Sequence, residues 1–172
     1  MLKLLGSLLI MTASVGLAYC IRRDMTKHLG LLYEIRKMLI DISYAAAESM
    51  QPVEILLGCF IRTRDKRLND ACKKIADILM EKKEEDGGKV WQDVFGASRR
   101  ELGLRGEEAE ILESAGGAFF GKSVEENRKH LSLSMERLDF CIEENRKEQK
   151  EKQRVYQTVS VMCGLLLIIL LL

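Results

Sequence analysis

The sequence predicts an all-α protein in which a bundle of about six helices lies between an N-terminal and a C-terminal transmembrane helix. Three observations lead to this prediction. The chain has a single Pro and few aromatic residues but much Leu, Glu, Lys, Arg and Ala, a composition typical of helices. Uncharged apolar stretches occupy residues 4–21 and 155–172. Between them, apolar residues recur at helical spacing within a highly charged middle.

The C-terminal stretch, residues 155–172, has the length and composition of a membrane-spanning helix. It contains no charge and ends in an unbroken run of Leu and Ile over residues 165–172. As a helix it spans about 27 Å, close to the roughly 30 Å hydrocarbon core of a bilayer. We therefore expect a transmembrane helix here and not a buried core helix.

The N-terminal apolar stretch, residues 4–21, allows two interpretations. Lys3 followed by an apolar segment is typical of a secretory signal, and Cys20 stands in a weak match to a lipoprotein cleavage site. Tyr19 is larger than the small residue that such a site needs before its Cys. The sequence therefore favours an uncleaved transmembrane helix over residues 1–21, with a secreted lipoprotein anchored at Cys20 as the alternative.

Basic residues lie mainly on the inner flanks of the two apolar stretches. Three follow the first stretch between residues 22 and 27, and four precede the second between residues 147 and 154. The outer flanks carry only Lys3. Because basic residues favour the cytoplasmic side, we expect a cytoplasmic domain over residues 22–154, with both termini on the other side of the membrane.

Charge and cysteine content exclude several classes of function for this domain. It holds all 26 acidic residues and every basic residue except Lys3, so it is formally neutral and lacks the basic excess of a nucleic-acid binder. The five cysteines form no CxxC pair and no zinc-like spacing with the two histidines, which favours free thiols. We expect no metal and no cofactor.

The domain begins with a long amphipathic helix predicted over residues 24–50. Its apolar stripe consists of Leu31, Leu32, Ile35, Met38, Leu39 and Ile42. Pro52 ends this helix and begins a short one over residues 53–60. The apolar face of the short helix carries Val53, Leu56, Leu57 and Phe60.

A third helix is predicted over residues 65–85, with Asp65 as its N-cap. Its inward residues are Leu68, Cys72, Ile75 and Leu79. Residues 86–88 are expected to form a turn. A short fourth helix follows, marked by Trp91, Val94 and Phe95, and a short fifth helix covers residues 107–114.

Residues 116–121 are predicted to form a loop before the last helix of the domain. Ser123 with Glu126 three residues later is the capping-box arrangement for a helix start. The apolar stripe of that helix comprises Leu131, Met135, Leu138 and Ile142. Beyond it, nine of the twelve residues over 143–154 are charged, which indicates a solvated helical stalk that leads into the C-terminal transmembrane helix.

Residues 116–123 match the phosphate-binding pattern GxxxxGK[ST] at every fixed position. A phosphate-binding loop of this kind needs a strand before it, whereas the preceding residues 107–114 have a helical, acidic pattern. The sequence therefore favours a glycine-rich turn before a capped helix. A membrane-bound nucleotide hydrolase that uses Lys122 and Ser123 stays as the alternative function.

The two histidines, His28 and His130, lie alone on their predicted helices. Neither has a Ser, a Cys or a pair of carboxylates at a spacing that suggests catalysis. We find no catalytic pattern elsewhere and expect that the protein is not an enzyme.

Several segments resemble one family in their order along the chain. They are residues 1–6, Ile42-Ser43-Tyr44, Pro52, Gly121, Lys129-His130-Leu131 and residues 164–168. Together they make the chain similar to the stage III sporulation protein AB family of endospore-forming bacteria. The resemblance extends over nearly the full length.

The resemblance implies a function that the residues alone do not show. The family is similar to the cytoplasmic, helical-bundle domains of the inner-membrane platform protein of type II secretion and type IV pilus machines. It implies a component of the channel complex between mother cell and forespore, in the mother-cell membrane. The implied partners are a cytoplasmic secretion-type ATPase, other stage III sporulation membrane proteins and membrane lipid. The docking residues implied by family position are Asp41, Tyr44, Lys129 and His130.

Overall fold

The computed structural model describes residues 2–47, 55–56, 58, 63–81, 86–121 and 124–171. Five helices have both ends within these ranges, and no described residue forms a strand. The helices are α1 (Leu2–Ala47), α2 (Lys66–Glu81), α3 (Gly87–Leu102), α4 (Gly106–Phe119) and α5 (Val124–Leu171). The all-α prediction is confirmed.

The number of helices differs from the prediction because both apolar stretches continue into neighbouring helices. Residues 4–21 and 24–47 belong to one helix, α1, and residues 143–171 belong to α5. No Pro or Gly stands near residues 22–24 or 153–156 to interrupt either helix. The predicted helix over 53–60 lies mostly outside the described residues, although residues 55, 56 and 58 are helical and Leu56 is buried.

The chain divides into two compact units. The first comprises Met1–Leu29 and Glu143–Leu172, and the second comprises Gly30–Ile142. In the first unit Gln149 Nε2 donates a hydrogen bond of 3.1 Å to Thr26 Oγ1. Among the residues that the structure describes, no helix has an apolar segment long enough to cross a membrane.

The second unit is a helical bundle whose core contains the apolar stripes predicted for α1, α2, α3 and α5. Every predicted stripe residue of α1 is buried. Leu79 of α2 and Met135 of α5 are only partly buried, as each lies at the edge of its stripe. The largest side chains that are almost fully buried are Trp91, Phe95, Leu31, Leu32, Ile35, Met38, Leu39, Ile42, Leu56, Leu68, Ile75 and Leu102.

The N-terminus of α2 is held by an aspartate, as the sequence predicts. Asp65 Oδ1 accepts a hydrogen bond of 3.0 Å from the Arg67 backbone N–H, which satisfies one of the free amides of the first turn. The Arg67 guanidinium bonds the same carboxylate and also donates to the carbonyl oxygen of Glu101, 3.0 Å away at the end of α3. One arginine therefore joins the start of α2 to the end of α3.

The glycines before Trp91 open a helix and do not form the predicted turn. Asp86 is the N-cap of α3, and its carboxylate accepts a hydrogen bond of 3.0 Å from the Gly88 N–H. Gly87 and Gly88 form the first turn of a helix of 16 residues, longer than predicted. The helix ends at Gly103, whose φ of 72° is the left-handed conformation that favours glycine.

The prediction of a loop over residues 116–121 is wrong for its first four residues. The structure places Gly116–Phe119 in α4, which has 14 residues. Ala115, Gly116, Ala118 and Phe119 are buried, so the segment forms a packed helical turn. The physical reason is the aromatic cluster around Trp91, which covers this turn and outweighs the low helix propensity of two glycines.

Candidate partner-docking surface

Two of the docking residues implied by the resemblance lie near the C-terminal end of α1. Tyr44 is 71% exposed, and Asp41 is partly buried. They are three residues apart, so their side chains project from neighbouring positions on one side of the helix. Both are within the second unit.

The other two, Lys129 and His130, are exposed in the first turns of α5. As consecutive residues they project about 100° apart around the helix. Leu131, the third residue of the family segment, is 1% exposed and belongs to the core. The burial of Leu131 therefore fixes the positions of Lys129 and His130 on the surface of α5.

Helices α1 and α5 contact each other through two polar pairs. Arg36 donates two hydrogen bonds to the Asp139 carboxylate, one of them of 2.9 Å from Nη2 to Oδ2. The contact between Thr26 and Gln149 is ten residues earlier in α1 and ten residues later in α5. The two residue numbers have the same sum in both pairs, which is the pattern expected of two antiparallel helices.

This register brings the two docking pairs to the same end of the second unit. Tyr44 lies eight residues beyond Arg36, about 12 Å along α1, and His130 lies nine residues before Asp139, about 13.5 Å along α5. In antiparallel helices these displacements have the same direction. The four predicted residues therefore lie at similar levels on two adjacent helices.

Ion pairs of two arginines lie on this part of the bundle. The hydrogen bond from Arg36 to Asp139 raises the pKa of the Arg36 guanidinium above its ordinary value. Arg137 Nη2 lies 3.6 Å from a Glu107 carboxylate oxygen and 3.9 Å from one of Glu110, which links α5 to α4. The surface is therefore of mixed sign, without the basic concentration that nucleic acid requires.

The structure also shows exposed apolar side chains that the sequence analysis did not single out. Leu133 and Phe140 on α5 are 55% and 68% exposed, and Tyr33 on α1 is 48% exposed. Tyr33 is eleven residues before Tyr44, which places both on one face of α1. The sequence does indicate the exposure of Leu133 and Phe140, because neither residue lies in the apolar stripe predicted for α5.

The phosphate-loop pattern has a packing role in its described part. Trp91 Nε1 donates a hydrogen bond of 2.7 Å to the Leu112 carbonyl oxygen, and the indole lies directly against Gly116. The Phe120 N–H bonds the Gly116 carbonyl oxygen at 3.0 Å, as at a helix end. Helical amides directed into their own helix do not surround a phosphate. Lys122 and Ser123 lie outside the described residues.

Comparison with known proteins identifies a family. No curated protein and no solved structure matches the chain. The family described as stage III sporulation protein AB matches residues 3–172. Since the match covers nearly the whole sequence, the chain belongs to the stage III sporulation protein AB family, which implies a role in stage III of sporulation.

Proposed function

We propose that the protein is a non-enzymatic membrane platform in the secretion-like channel complex between mother cell and forespore. In this complex it docks a cytoplasmic secretion-type ATPase and contacts other stage III sporulation membrane proteins. Membership of the stage III sporulation protein AB family carries the proposal. Further support is the all-helical architecture of the bundle, which is also the architecture of the secretion platform domains that the family resembles.

The proposed location is the mother-cell membrane facing the forespore, with two spans at residues 1–21 and 155–172. Support comes from the sequence, in which eighteen uncharged residues stand at each end and basic residues flank them on the inner side. The domain over 22–154 is then cytoplasmic, and residues 143–154 form its charged stalk. Cysteine labelling of intact cells tests this arrangement: an added Cys near either terminus should react with an impermeant reagent, and one at Ser132 should not.

The bundle is suited to transmit a mechanical change because each helix is fixed to the next. Polar or sulfur contacts join α1 to α2, α2 to α3, α3 to α4, α4 to α5 and α5 back to α1. A partner docked on one helix therefore acts on the whole second unit. We propose that this rigidity lets the domain couple a cytosolic motor to membrane components.

The docking surface proposed for the ATPase includes Asp41, Tyr44, Lys129 and His130. Support comes from their similar level on α1 and α5 and from the exposure of Tyr44, Lys129 and His130. A large, rigid aromatic side chain with charged neighbours is typical of the residues that dominate binding energy at interfaces.

Alanine substitution tests this surface. Tyr44→Ala and His130→Ala should each weaken ATPase binding about tenfold without a change in helical content, because neither side chain belongs to the core. Ser132→Ala, an exposed change on the same helix, is the control and should bind as the wild type does. Equal loss of binding and helicity would make the substituted residue structural and remove it from the surface.

We propose that nucleotide chemistry belongs to the partner and not to residues 116–123. The helical conformation of Gly116–Phe119 supports this assignment. Titration of the full chain with ATP and magnesium should give no saturable binding up to millimolar concentration. Saturable binding that Lys122→Ala abolishes would favour the nucleotide-binding function instead.

A further inference from the structure

Basic residues are concentrated in one part of the second unit. They come from two segments, residues 63–67 at the start of α2 and residues 97–106 between the end of α3 and the start of α4. The rest of the second unit is acidic, with 12 basic and 19 acidic residues. The two segments contain only two acidic residues and six basic ones, which we call the basic cluster: Arg64, Lys66, Arg67, Arg99, Arg100 and Arg105.

Side-chain contacts bring the two segments of the basic cluster together. Arg67 Nη1 donates a hydrogen bond of 3.0 Å to the Glu101 carbonyl oxygen, which joins the start of α2 to the end of α3. Arg99 Nη2 lies beside Gly106, 3.5 Å from the position of a Cβ on that residue, at the start of α4. Three helix ends therefore meet, and the six basic residues share one region of the surface.

The basic cluster is separate from the proposed docking surface. The Glu34 carboxylate of α1 accepts a hydrogen bond of 3.3 Å from the Arg64 backbone N–H, so the cluster lies at the level of Glu34. Tyr44 is ten residues further along α1, which corresponds to about 15 Å. A ligand of the cluster therefore does not compete with a partner bound at Tyr44.

Both acidic residues of the two segments act mainly on one arginine of the cluster. Arg67 Nη2 donates a hydrogen bond of 2.8 Å to the Asp65 carboxylate. The pKa of the Arg67 guanidinium is raised, first by the hydrogen bond with Asp65 and further by the charge of Glu101. Within the described part of the chain, four exposed members of the cluster have no side-chain ion pair: Arg64, Lys66, Arg99 and Arg100.

Helix stability explains only part of the basic cluster. Arg99 and Arg100 lie in the last turn of α3, where a positive charge favours the helix. Lys66 begins α2 and Arg105 is the N-cap of α4, two positions at which a positive charge opposes the helix dipole. Residues that depart from local preference in this way are typical of functional surfaces.

We propose that the basic cluster binds a short acidic segment of a partner protein. Five of the six residues are arginines, whose planar side chains donate paired hydrogen bonds to the two oxygens of a carboxylate. Several exposed cations in one region also attract an anionic ligand before contact. A run of Asp or Glu residues supplies both the carboxylates and the charge.

Acidic residues border the basic cluster and limit the size of its ligand. Asp70, Glu107 and Glu110 are exposed in the first two turns of α2 and α4, and Glu34 lies beside Arg64. An extended polyanion, such as nucleic acid or an anionic membrane surface, would meet these carboxylates as well and be repelled by them. A short acidic segment meets the cluster alone, so the charge pattern favours it.

Fluorescence anisotropy of a labelled hexaglutamate peptide tests the proposal, with the full chain in micelles of an uncharged detergent. The peptide should bind with saturation, and its affinity should fall as salt is added, because salt screens exposed charges. Arg99→Gln combined with Arg100→Gln should raise the dissociation constant about fivefold, since exposed ion pairs are individually weak.

A matched control separates the basic cluster from net charge. Lys73→Gln combined with Lys74→Gln makes the same change in charge at two exposed residues of α2 outside the cluster. This double substitution should leave the dissociation constant for the peptide nearly unchanged. Glu101→Gln should strengthen binding, a result that misfolding does not produce, and emission of Trp91 verifies that each variant is folded.

The proposal is overturned if hexaglutamate shows no saturable binding, or if the two double substitutions weaken binding equally. Competition with a hexathymidylate oligonucleotide, or with phosphatidylglycerol added to the micelles, tests the other polyanions. Either should displace the peptide poorly, and complete displacement at matched anion concentration would overturn the proposal by assigning the cluster to that polyanion. Tyr44→Ala should leave peptide binding unchanged, so this proposal and ATPase docking fail independently.

Discussion

At Gly116 the backbone of α4 lies in contact with the Trp91 indole, and only hydrogen fits between them. A Cβ at this position would lie 2.4 Å from Trp91 Cδ1 and 2.5 Å from Cγ. Gly117, the next residue, has nothing within 4 Å of the same position. One glycine of this pair is therefore required by packing, and the other is not.

This contrast gives a matched pair of substitutions. Gly116→Ala should lower the free energy of unfolding by about 1–3 kcal/mol, because the buried indole must move away from its hydrogen bond to Leu112. Gly117→Ala should raise it by about 0.5–1 kcal/mol, since alanine favours the helix. Denaturant titrations of the full chain in micelles, followed by Trp91 emission, measure both. Equal effects of the two substitutions would contradict the packing of α4 on α3.

Asp65 links a helix cap to the acid stability of the domain. The hydrogen bond from the Arg67 side chain lowers the pKa of the Asp65 carboxyl below its ordinary value. A carboxyl with a depressed pKa in the folded state stabilises that state above its unfolded pKa and loses this contribution as pH falls through its folded pKa. The stabilisation is therefore present at neutral pH and is lost progressively as pH falls from about 4 through the lower pKa of the folded state.

Asp65→Ala should cost about 0.5–2 kcal/mol of unfolding free energy at pH 7, the range for an N-cap aspartate. The cost should become smaller as pH falls below about 4, because the Asp65 carboxyl of the wild type then becomes protonated and loses its ionic contribution. Asp70→Ala, an exposed change on the same helix, is the control and should have little effect at either pH. A cost for Asp65→Ala that does not depend on pH would rule out the ionic contribution.

At the scale of helices, apolar periodicity predicts the parts of the structure that depend on burial alone. The stripes of α1, α2 and α5 and the aromatic face of α3 are in the core, and Asp65 caps α2 as the sequence indicates. Continuity of α5 through the charged stalk was expected, whereas continuity of α1 was missed. A change from apolar to charged residues suggests a boundary, although it does not interrupt backbone hydrogen bonds. The helical turn at Gly116–Phe119 was missed because it depends on contact with Trp91, 25 residues earlier.

Part of the candidate docking surface could be predicted in the same way. The exposure of Lys129 and His130 follows from their position beside the buried stripe of α5. The similar level of Tyr44 and His130 depends on the antiparallel register of two helices that are more than 80 residues apart in the chain. Local pattern carries no information about that register. The exposure of Leu133 and Phe140, in contrast, could have been predicted, because neither lies in the apolar stripe of α5.

Amide hydrogen exchange tests the helical turn at the end of α4. The amides of residues 116–119 should exchange slowly because they lie in a helix that is packed under the aromatic cluster, and that of Phe120 because it is bonded to the Gly116 carbonyl oxygen. Addition of ATP and magnesium should leave their rates unchanged, with the amides of α2 as an internal reference. Rapid exchange that nucleotide slows would indicate a phosphate-binding loop in place of a helix.

At the scale of the whole molecule, the chain combines a helical bundle in its second unit with membership of a sporulation protein family. Within the second unit, polar or sulfur contacts join successive helices and also join α5 to α1. Apolar stretches at both ends of the chain provide the proposed attachment to a membrane. These are the features on which the proposed platform function depends.

The most direct test places a photo-crosslinking amino acid at position 44 of the full-length protein in sporulating cells. The proposed platform function predicts capture of a secretion-type ATPase together with other stage III sporulation membrane proteins. A crosslinker at position 73, an exposed lysine on α2, is the control and should capture the ATPase much less. Capture of neither partner from either position, with the protein folded and membrane-inserted, would contradict the platform function.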